Sequence, residues 1–281
     1  MTLPDGRRVV WSEYGDPDGV PVMALHGTPS SRLDFLPAEA SARRFGLRLI
    51  APDRPGMGDS DPHPDRTLLG YAADVGALAD HLGIGRFAIV GFSGGGPYAL
   101  ACALALGDGV TGVVGASAAG PVDGPGGLAG MSITDKLLTI LCLRAPTMAI
   151  AYLKALAVGA KLSPHIAVWG EAAELGPDAL GVLKAFGTRK QIMAPFHASV
   201  RQGARWPIQD FALLSRPWGL ALDEIRVPVR LFHGTADRVV PLSQARHLAA
   251  EIPTAVLTEV RGVGHVLLHR DPDLILSAVP R

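Results

Sequence analysis

One serine of the chain stands between glycines at a junction typical of a strand that turns into a helix. It is Ser93, in the sequence GFSGG at residues 91–95. A serine on such a turn is held in a strained backbone conformation that presents its hydroxyl to solvent. The flanking glycines permit the turn, because a Cβ there would collide with neighbouring elements. The pattern predicts a nucleophilic serine beside a helix amino end that favours a developing oxyanion.

A serine hydroxyl is a poor nucleophile at neutral pH and needs an adjacent imidazole to accept its proton. His265 is the main candidate, since it lies in GVGHV after the last predicted strand, where glycines allow a tight loop. His269 is the alternative, although its surroundings, LLHRDP, are typical of a helix start. The imidazole in turn needs a carboxylate that orients it and stabilises its charged form. Asp237, which follows the predicted strand VPVRLFHG, meets that requirement.

Motifs along nearly the whole chain resemble those of the α/β-hydrolase family. The order of the three candidates, serine then acid then histidine, is also the order of that family, and it differs from the trypsin-like and subtilisin-like orders. The matching motifs are the oxyanion loop HGTP at 26–29, the turn DRPGMGDS at 53–60, the elbow GFSGG at 91–95, and the acid and base loops HGTADRVVP at 233–241 and GVGH at 262–265. The resemblance implies an α/β-hydrolase fold and a serine hydrolase.

The resemblance also implies roles around the serine. A tetrahedral intermediate needs two or more hydrogen-bond donors aimed at its oxyanion, and the Gly94 N–H is the first. The second belongs to the HGTP loop, where Thr28 is our choice and Gly27 the alternative, because proline has no N–H. His26 is expected to brace this loop. Asp123 follows the preceding strand, where some relatives carry the acid, and is the alternative acid.

Apolar runs of strand length alternate with segments of helical spacing along most of the chain. The first two strands are joined by the turn-forming DPDG and open the sheet as a pair. The predicted strands are RRVVWSEYG, VPVMALHG, LRLIAP, RFAIVGFS, VTGVVGAS, VPVRLFHG and AVLTEV, and the predicted helices cover 67–82, 97–106 and 241–252. Such alternation predicts the α/β class, with a mostly parallel sheet flanked by helices.

Between residues 121 and 218 the rhythm changes to successive helical patterns with no convincing strand. We interpret 121–218 as an inserted helical cap, and 1–120 and 219–281 as the core. An insertion between core strands lies over their carboxyl ends, where open α/β sheets bind ligands. Charge is scarce from 137 to 168, which predicts a medium-sized, largely apolar acyl or alcohol group. Substrate contacts stay open, with three aromatic candidates in the cap: Phe186, Phe196 and Trp206.

Composition excludes several kinds of partner and site. Hydrophobic residues make up 48% of the 281 and charged residues 19%, which is enough for a large core. The 26 basic and 26 acidic residues balance, so no overall field attracts nucleic acid, and a small-molecule substrate is expected. The nine histidines and two cysteines fall into no metal-ligand spacing, and no cofactor is predicted. The oligomeric state is not readable from the sequence.

The sequence predicts a cytoplasmic protein without a membrane span. Its start lacks the apolar core and small-residue cleavage site of a signal peptide. Cys102 and Cys142 lie in apolar surroundings typical of reduced core thiols. The uncharged run at 87–107 is long enough to cross a bilayer. Its GGGP centre would break a spanning helix, so a buried strand that turns into a helix is predicted instead.

The expected reaction is hydrolysis of a carboxylic ester or lactone through an acyl-enzyme on Ser93. Relatives that open epoxides or remove halides carry aspartate at the elbow, so the resemblance argues against those activities. Acyltransferase, amidase, aminopeptidase and carbon-carbon hydrolase chemistry uses the same residues and stays open. A ligand-binding receptor on this scaffold is the alternative from another class, because known cases retain the three residues.

Overall fold

The computed structural model describes residues 1–124, 127–185 and 189–280. Within these residues the chain forms one seven-stranded sheet with helices packed against it. The strands are β1 (Trp11–Gly15), β2 (Val20–Leu25), β3 (Leu47–Pro52), β4 (Phe87–Phe92), β5 (Val110–Ala116), β6 (Val229–Gly234) and β7 (Ala255–Val260). Each of them lies within a segment that the sequence predicts to be a strand.

The strands follow the order β1-β3-β2-β4-β5-β6-β7, in which β1 is antiparallel to β3 and the other neighbours are parallel. The mostly parallel sheet is as predicted. The prediction that the first two strands pair with each other was wrong, because β3 lies between β1 and β2. The reason is burial: the backbone of the apolar β2 needs a hydrogen-bonded strand on each side, whereas the half-exposed β1 takes the edge.

Helices cover both faces of the sheet. Their bounds are α1 (Glu39–Arg44), α2 (Leu68–His81), α3 (Gly95–Leu106), α4 (Ile133–Arg144), α5 (Pro146–Leu162), α6 (Pro164–Leu175), α7 (Ala179–Ala185), α8 (Arg189–Ser199), α9 (Arg205–Leu214), α10 (Leu242–Glu251), α11 (Leu267–Arg270) and α12 (Pro272–Leu276). Alternate residues of β2 enter different cores. Met23 and Leu25 pack with α2, α3 and α10, and Val22 and Ala24 with α1 and α12. This two-residue period makes β2 apolar throughout.

The helices α4 to α9 lie between β5 and β6 and are called the inserted helices below. The described residues between these two strands form no strand. The inserted helices have apolar clusters of their own, one around Leu183 and Met193 and one around Leu153 and Ile208. Their packing against each other therefore stabilises them in addition to their contacts with the sheet.

The uncharged run at 87–107 forms β4 and α3 with a sharp turn between them, as predicted. Among the helices that the structure describes, none combines the length and the apolar composition needed to cross a bilayer. Cys102 and Cys142 are buried free thiols. Burial raises the pKa of Cys142 to about 12 and raises that of Cys102 as well, so both thiols stay protonated.

Candidate active site

The predicted site residues gather at one edge of the sheet. The HGTP loop follows β2, Ser93 follows β4, Asp237 follows β6 and His265 follows β7. Because these strands are parallel, their carboxyl ends meet at the same edge, where α/β sheets bind ligands. The sheet thus brings Ser93 next to a histidine that lies 172 positions further along the sequence.

Ser93 has the backbone conformation that the surrounding glycines predict. Its φ is +51°, in the left-handed region that a residue other than glycine rarely adopts. A Cβ at Gly91 would stand 2.8 Å from the carbonyl oxygen of Gly95, and one at Gly95 would collide with the carbonyl oxygen of Leu25. The hydroxyl does not face bulk solvent, contrary to expectation, because the inserted helices cover it and leave Ser93 only 7% exposed.

The Ser93 hydroxyl and two further side chains form one chain of hydrogen bonds. Ser93 Oγ lies 2.8 Å from His265 Nε2, and His265 Nδ1 lies 2.7 Å from Asp237 Oδ2. The other carboxylate oxygen of Asp237 accepts hydrogen bonds from the Val239 and Val240 amides at 3.0 and 2.8 Å. With the imidazole proton on Nδ1, His265 Nε2 can accept the proton of the serine.

The Asp237 carboxylate controls the charge of His265. Burial alone lowers the pKa of this imidazole, but the negative charge of Asp237 and its hydrogen bond raise the pKa above its ordinary value. A second histidine, His233, approaches the same carboxylate to 3.5 Å and donates a hydrogen bond to the Val240 carbonyl at 2.8 Å. Burial lowers the pKa of His233 although Asp237 opposes this, so His233 stays neutral.

The two alternative residues stand outside this chain of hydrogen bonds. The carboxylate that bonds His265 is that of Asp237, whereas Asp123 is exposed in a turn. His269 packs edge-on against Phe92, with ring centroids 5.0 Å apart, and Ser93 bonds His265 instead. The structure therefore brings together the three residues that the sequence favours.

The two residues that carry the predicted oxyanion donors, Thr28 and Gly94, lie next to each other. The Thr28 side chain packs against Gly94, whose Cβ, if present, would lie 3.0 Å from that of Thr28. Among the backbone–backbone hydrogen bonds of turns and loops in the described residues, none has the Thr28 or Gly94 N–H as its donor. The N–H of the alternative residue, Gly27, is bonded to Asp34 Oδ2 at 2.9 Å. The geometry favours Thr28 over Gly27.

Arg54 and Asp210 form a fully buried ion pair next to this loop. Arg54 Nη2 donates to Asp210 Oδ2 at 2.9 Å, and Arg66 Nη2 lies 3.1 Å from Asp210 Oδ1. The hydroxyls of Tyr98 and Thr28 donate to the same carboxylate, each at 2.5 Å. Burial alone raises the pKa of Asp210, but the two arginines and the hydroxyl hydrogen bonds lower it to about 2, so the carboxylate is charged.

The ion pair connects an inserted helix to the HGTP loop. Asp210 belongs to α9, whereas Arg54 follows β3 and also donates to the carbonyl oxygens of His26 and Gly27. His26 donates from Nδ1 to the Gly27 carbonyl at 2.7 Å and accepts from the Arg54 amide at 3.1 Å. Burial and the charge of Arg54 lower the pKa of His26 well below its ordinary value. His26 is therefore a neutral brace of the loop, as expected.

We expect Asp210→Asn to lower the free energy of unfolding by about 3–5 kcal/mol, because the buried charges of Arg54 and Arg66 lose their counter-charge. Asparagine nearly preserves the size of the side chain, so the loss reports on charge. Urea unfolding at neutral pH, followed by circular dichroism, measures the difference from the wild-type protein.

An exposed ion pair provides the control for this prediction. Glu39→Gln removes the partner of Arg43, which lies 3.0 Å away and one helical turn along α1. We expect this substitution to change the free energy of unfolding by less than about 0.5 kcal/mol. Equal losses in the two variants would contradict a special role for the buried pair.

The turn between α6 and α7 holds the loop that carries His265. The His265 N–H donates to the Leu175 carbonyl at 2.6 Å, and the Gly264 N–H donates to Asp178 Oδ1 at 3.0 Å. A Cβ at Gly264 would collide with the Leu175 carbonyl oxygen, so this close approach requires glycine. The inserted helices therefore contact the loop that carries His265 and, through Asp210, the HGTP loop as well.

Ser93 opens into a cavity of about 1270 Å³ that lies under the inserted helices. Phe196 lines this cavity, as a substrate contact must. Trp206 requires a correction: it is not among the described lining residues, because its ring packs against Gly56 instead. Phe186 lies outside the described residues. Across 1–124, 127–185 and 189–280, no three or more His, Cys, Asp or Glu side chains are arranged to hold a metal ion.

Known proteins of one family resemble this chain along almost its whole length. The family model of the alpha/beta hydrolase fold matches residues 20–272. A non-heme chloroperoxidase from Streptomyces lividans is 30% identical over 289 aligned residues, which cover 98% of this chain and 95% of that protein. The structure of an esterase from Rhodococcus sp. ECU1013 is 25% identical, with a TM-score of 0.69 and coverage of 98% and 94%. For an enol-lactonase from Burkholderia xenovorans LB400 the identity is 20%, the TM-score 0.70 and the coverage 97% and 95%. The chain belongs to the alpha/beta hydrolase fold family and is a hydrolase.

Proposed function

We propose that the protein hydrolyses small-molecule carboxylic esters or lactones through an acyl-enzyme on Ser93. The observation that carries the proposal is the chain of hydrogen bonds from Ser93 Oγ through His265 to Asp237, which opens into an apolar cavity. A serine hydroxyl bonded to an imidazole that a carboxylate orients is the arrangement that acyl transfer needs. The similar structure from Rhodococcus is that of an esterase, which agrees with this bond type.

In the proposed reaction Ser93 Oγ attacks the carbonyl carbon while His265 Nε2 takes the hydroxyl proton. Asp237 holds the imidazole and stabilises its positive charge. The tetrahedral intermediate collapses as His265 gives the proton to the leaving alcohol, and the acyl group stays on Ser93. Water, deprotonated by His265, then attacks this ester, and the second collapse releases the acid and restores the serine hydroxyl.

The Thr28 and Gly94 amides stabilise the oxyanion in this proposal. Removal of one such donor typically costs about 3 kcal/mol of transition-state stabilisation, so the position of the loop matters. Arg54 and Asp210 act as positioning residues, because they bond the Thr28 hydroxyl and the carbonyls next to it. Both donors are main-chain groups, which makes the surrounding side chains responsible for their placement.

The proposal includes a division of the chain into a hydrolase core, 1–120 and 219–281, and a cap, 121–218. It is supported by the contribution of α4 to α9 to the walls of the cavity. A cytoplasmic location is also part of the proposal. It is supported by the free thiols of Cys102 and Cys142, which reducing compartments maintain.

Steady-state turnover of a panel of bonds tests the proposal. We expect p-nitrophenyl acetate, p-nitrophenyl butyrate and simple lactones to be turned over many times per protein molecule. The matching anilides should react more slowly, because an amine is a poorer leaving group than an alcohol or phenol. Release of p-nitrophenol and of acid from the lactones provides the measurement.

The same panel separates the alternatives. Faster reaction of anilides than of esters would favour an amidase, and transfer of the acyl group to added alcohols in preference to water would favour an acyltransferase. Release of one equivalent of p-nitrophenol with no further turnover would favour a ligand-binding receptor. Any of these three results contradicts the proposed ester hydrolase.

A further inference from the structure

An apolar groove extends the cavity away from Ser93 along the inserted helices. Residues of α6 and α8 form part of its walls. One face of α5 lines it, with residues that recur every three or four positions as one helix face requires. The lining residues of α5 and its C-cap are Tyr152, Leu153, Ala155, Leu156, Gly159, Ala160, Leu162 and Ser163.

Apolar side chains of this groove are open to solvent. Leu156 is 44% exposed, Leu162 78% and Ile166 70%. Contiguous exposed apolar surface on a soluble protein marks a place where something binds. The groove is continuous with the cavity over Ser93, so a substrate bound at Ser93 can extend into it.

The described lining of the groove places no lysine or arginine beside an anionic substrate. The lining residues that the structure describes include no lysine or arginine, and their acidic side chains are Asp34 and Asp135. A carboxylate or phosphate on the substrate would therefore enter an apolar site whose described lining provides no lysine or arginine to pair with it, which costs free energy. The chemistry of the lining selects an uncharged chain.

We infer that the substrates of this site are esters with a long, uncharged alkyl chain, which lies in the groove while the ester carbonyl lies at Ser93. The inference rests on the proposed function. The lined face of α5, from Tyr152 to Ser163, is about 16 Å long. Carbon-carbon bonds of about 1.5 Å at angles near 111° each advance a chain by about 1.25 Å, so the groove accommodates about twelve carbons. The cavity volume is about 1270 Å³. It exceeds the volume of roughly 300–1,000 Å³ that is common for small-molecule sites.

Two series of esters test this inference, each measured below the concentration at which the substrate aggregates. One series carries the chain on the acyl side, from p-nitrophenyl acetate to the dodecanoate, and the other carries it on the alcohol side of acetate esters. Burial of one CH₂ improves binding by up to about fourfold, so we expect kcat/KM to rise at least about tenfold from butyl to decyl chains in one series. A terminal carboxylate on the decyl chain should remove this gain. The series that rises identifies the side that carries the chain.

Gly159→Leu tests the location of the chain. A Cβ at Gly159 meets no atom within 4 Å, so a leucine side chain can leave the helix there and enter the groove. We expect kcat/KM for the decyl ester, divided by that for the acetate ester with the same variant, to fall about tenfold from its wild-type value. Gly181→Leu is the matched control, because Gly181 of α7 has equally open space but does not line the cavity. Its chain-length profile should equal that of the wild-type protein.

Each result bears on one claim. A profile that stays flat or falls in both series, while short esters are still hydrolysed, overturns the long-chain inference and leaves the proposed ester hydrolase standing. A rising profile that Gly159→Leu leaves unchanged overturns the groove as the place of the chain. Absence of turnover with every ester contradicts the proposed function and the inference with it.

Discussion

Ser93→Ala is expected to lower kcat for ester hydrolysis by about 10⁴- to 10⁶-fold and to leave the fold intact. The substitution removes only the hydroxyl, whose oxygen lies 2.8 Å from His265 Nε2, and the proposed reaction has no second nucleophile. Alanine keeps the Cβ, so the backbone strain at φ +51° is the same in both proteins. The variant should also escape covalent labelling by a fluorophosphonate probe that labels the wild-type protein, as measured by intact mass spectrometry.

Ser117 offers a matched control on the neighbouring strand. It follows β5, has a φ of +46° and is buried, and its hydroxyl has no hydrogen-bond partner within the described residues. We expect Ser117→Ala to keep kcat within about twofold of the wild-type value, because no group loses a partner. Equal losses in the two variants, or a covalent label on the Ser93→Ala protein, would contradict the assignment of the nucleophile.

The strands and the elbow could be predicted from the sequence because their signals are local. A strand of a parallel sheet is buried on both faces and is therefore a short apolar run, as LRLIAP at β3 and FAIVGF at β4 illustrate. The turn at Ser93 needs glycines whose Cβ atoms would collide with adjacent backbone. Such constraints act on residues that are neighbours in sequence, and one chain is enough to reveal them.

Apart from the three residues that the family motifs connect, contacts between distant parts of the chain could not be predicted. Asp210 lies 156 positions after Arg54. The sequence indicates this ion pair only by an aspartate that stands among apolar residues of the helix RWPIQDFALL. The bond from the His265 amide to the Leu175 carbonyl joins two main-chain groups, which every residue type provides. The position of β3 between β1 and β2 likewise depends on the whole sheet.

The sequence also could not predict which way the side chains of the inserted helices point. Phe196 and Trp206 are both aromatic residues of helices, yet Phe196 lines the cavity and Trp206 packs on Gly56. An aromatic residue type indicates an apolar contact and leaves open what it contacts. The substrate groove could be recognised only when the helix faces were known.

Asp237→Asn is expected to lower kcat by about 10⁴-fold, although the substitution hardly changes the shape of the side chain. In the wild-type protein the carboxylate accepts the Nδ1 proton of His265 at 2.7 Å, which leaves Nε2 to accept the proton of Ser93. An amide can donate to Nδ1, and the imidazole proton then moves to Nε2. A protonated Nε2 cannot act as the base.

The same substitution should shift the pH profile of the remaining activity. His265 must be neutral to accept a proton, so kcat/KM rises with pH through the pKa of His265, which Asp237 holds above the ordinary value of 6.5. Burial, which lowers this pKa, remains when the charge of Asp237 is removed. We therefore expect the midpoint of the acid limb above 6.5 in the wild-type protein and below 6.5 in the variant, in profiles from about pH 5 to 9.

Asp123→Asn is the matched control, since it makes the same chemical change at the exposed alternative acid. We expect it to keep both the rate and the midpoint of the wild-type protein, because its carboxylate is not the one that bonds His265. If Asp123→Asn loses activity and Asp237→Asn keeps it, the two acids exchange roles and the hydrogen bond at Nδ1 does not orient the base. If both variants keep their activity, the imidazole works without a carboxylate partner, and the raised pKa of His265 has no part in catalysis.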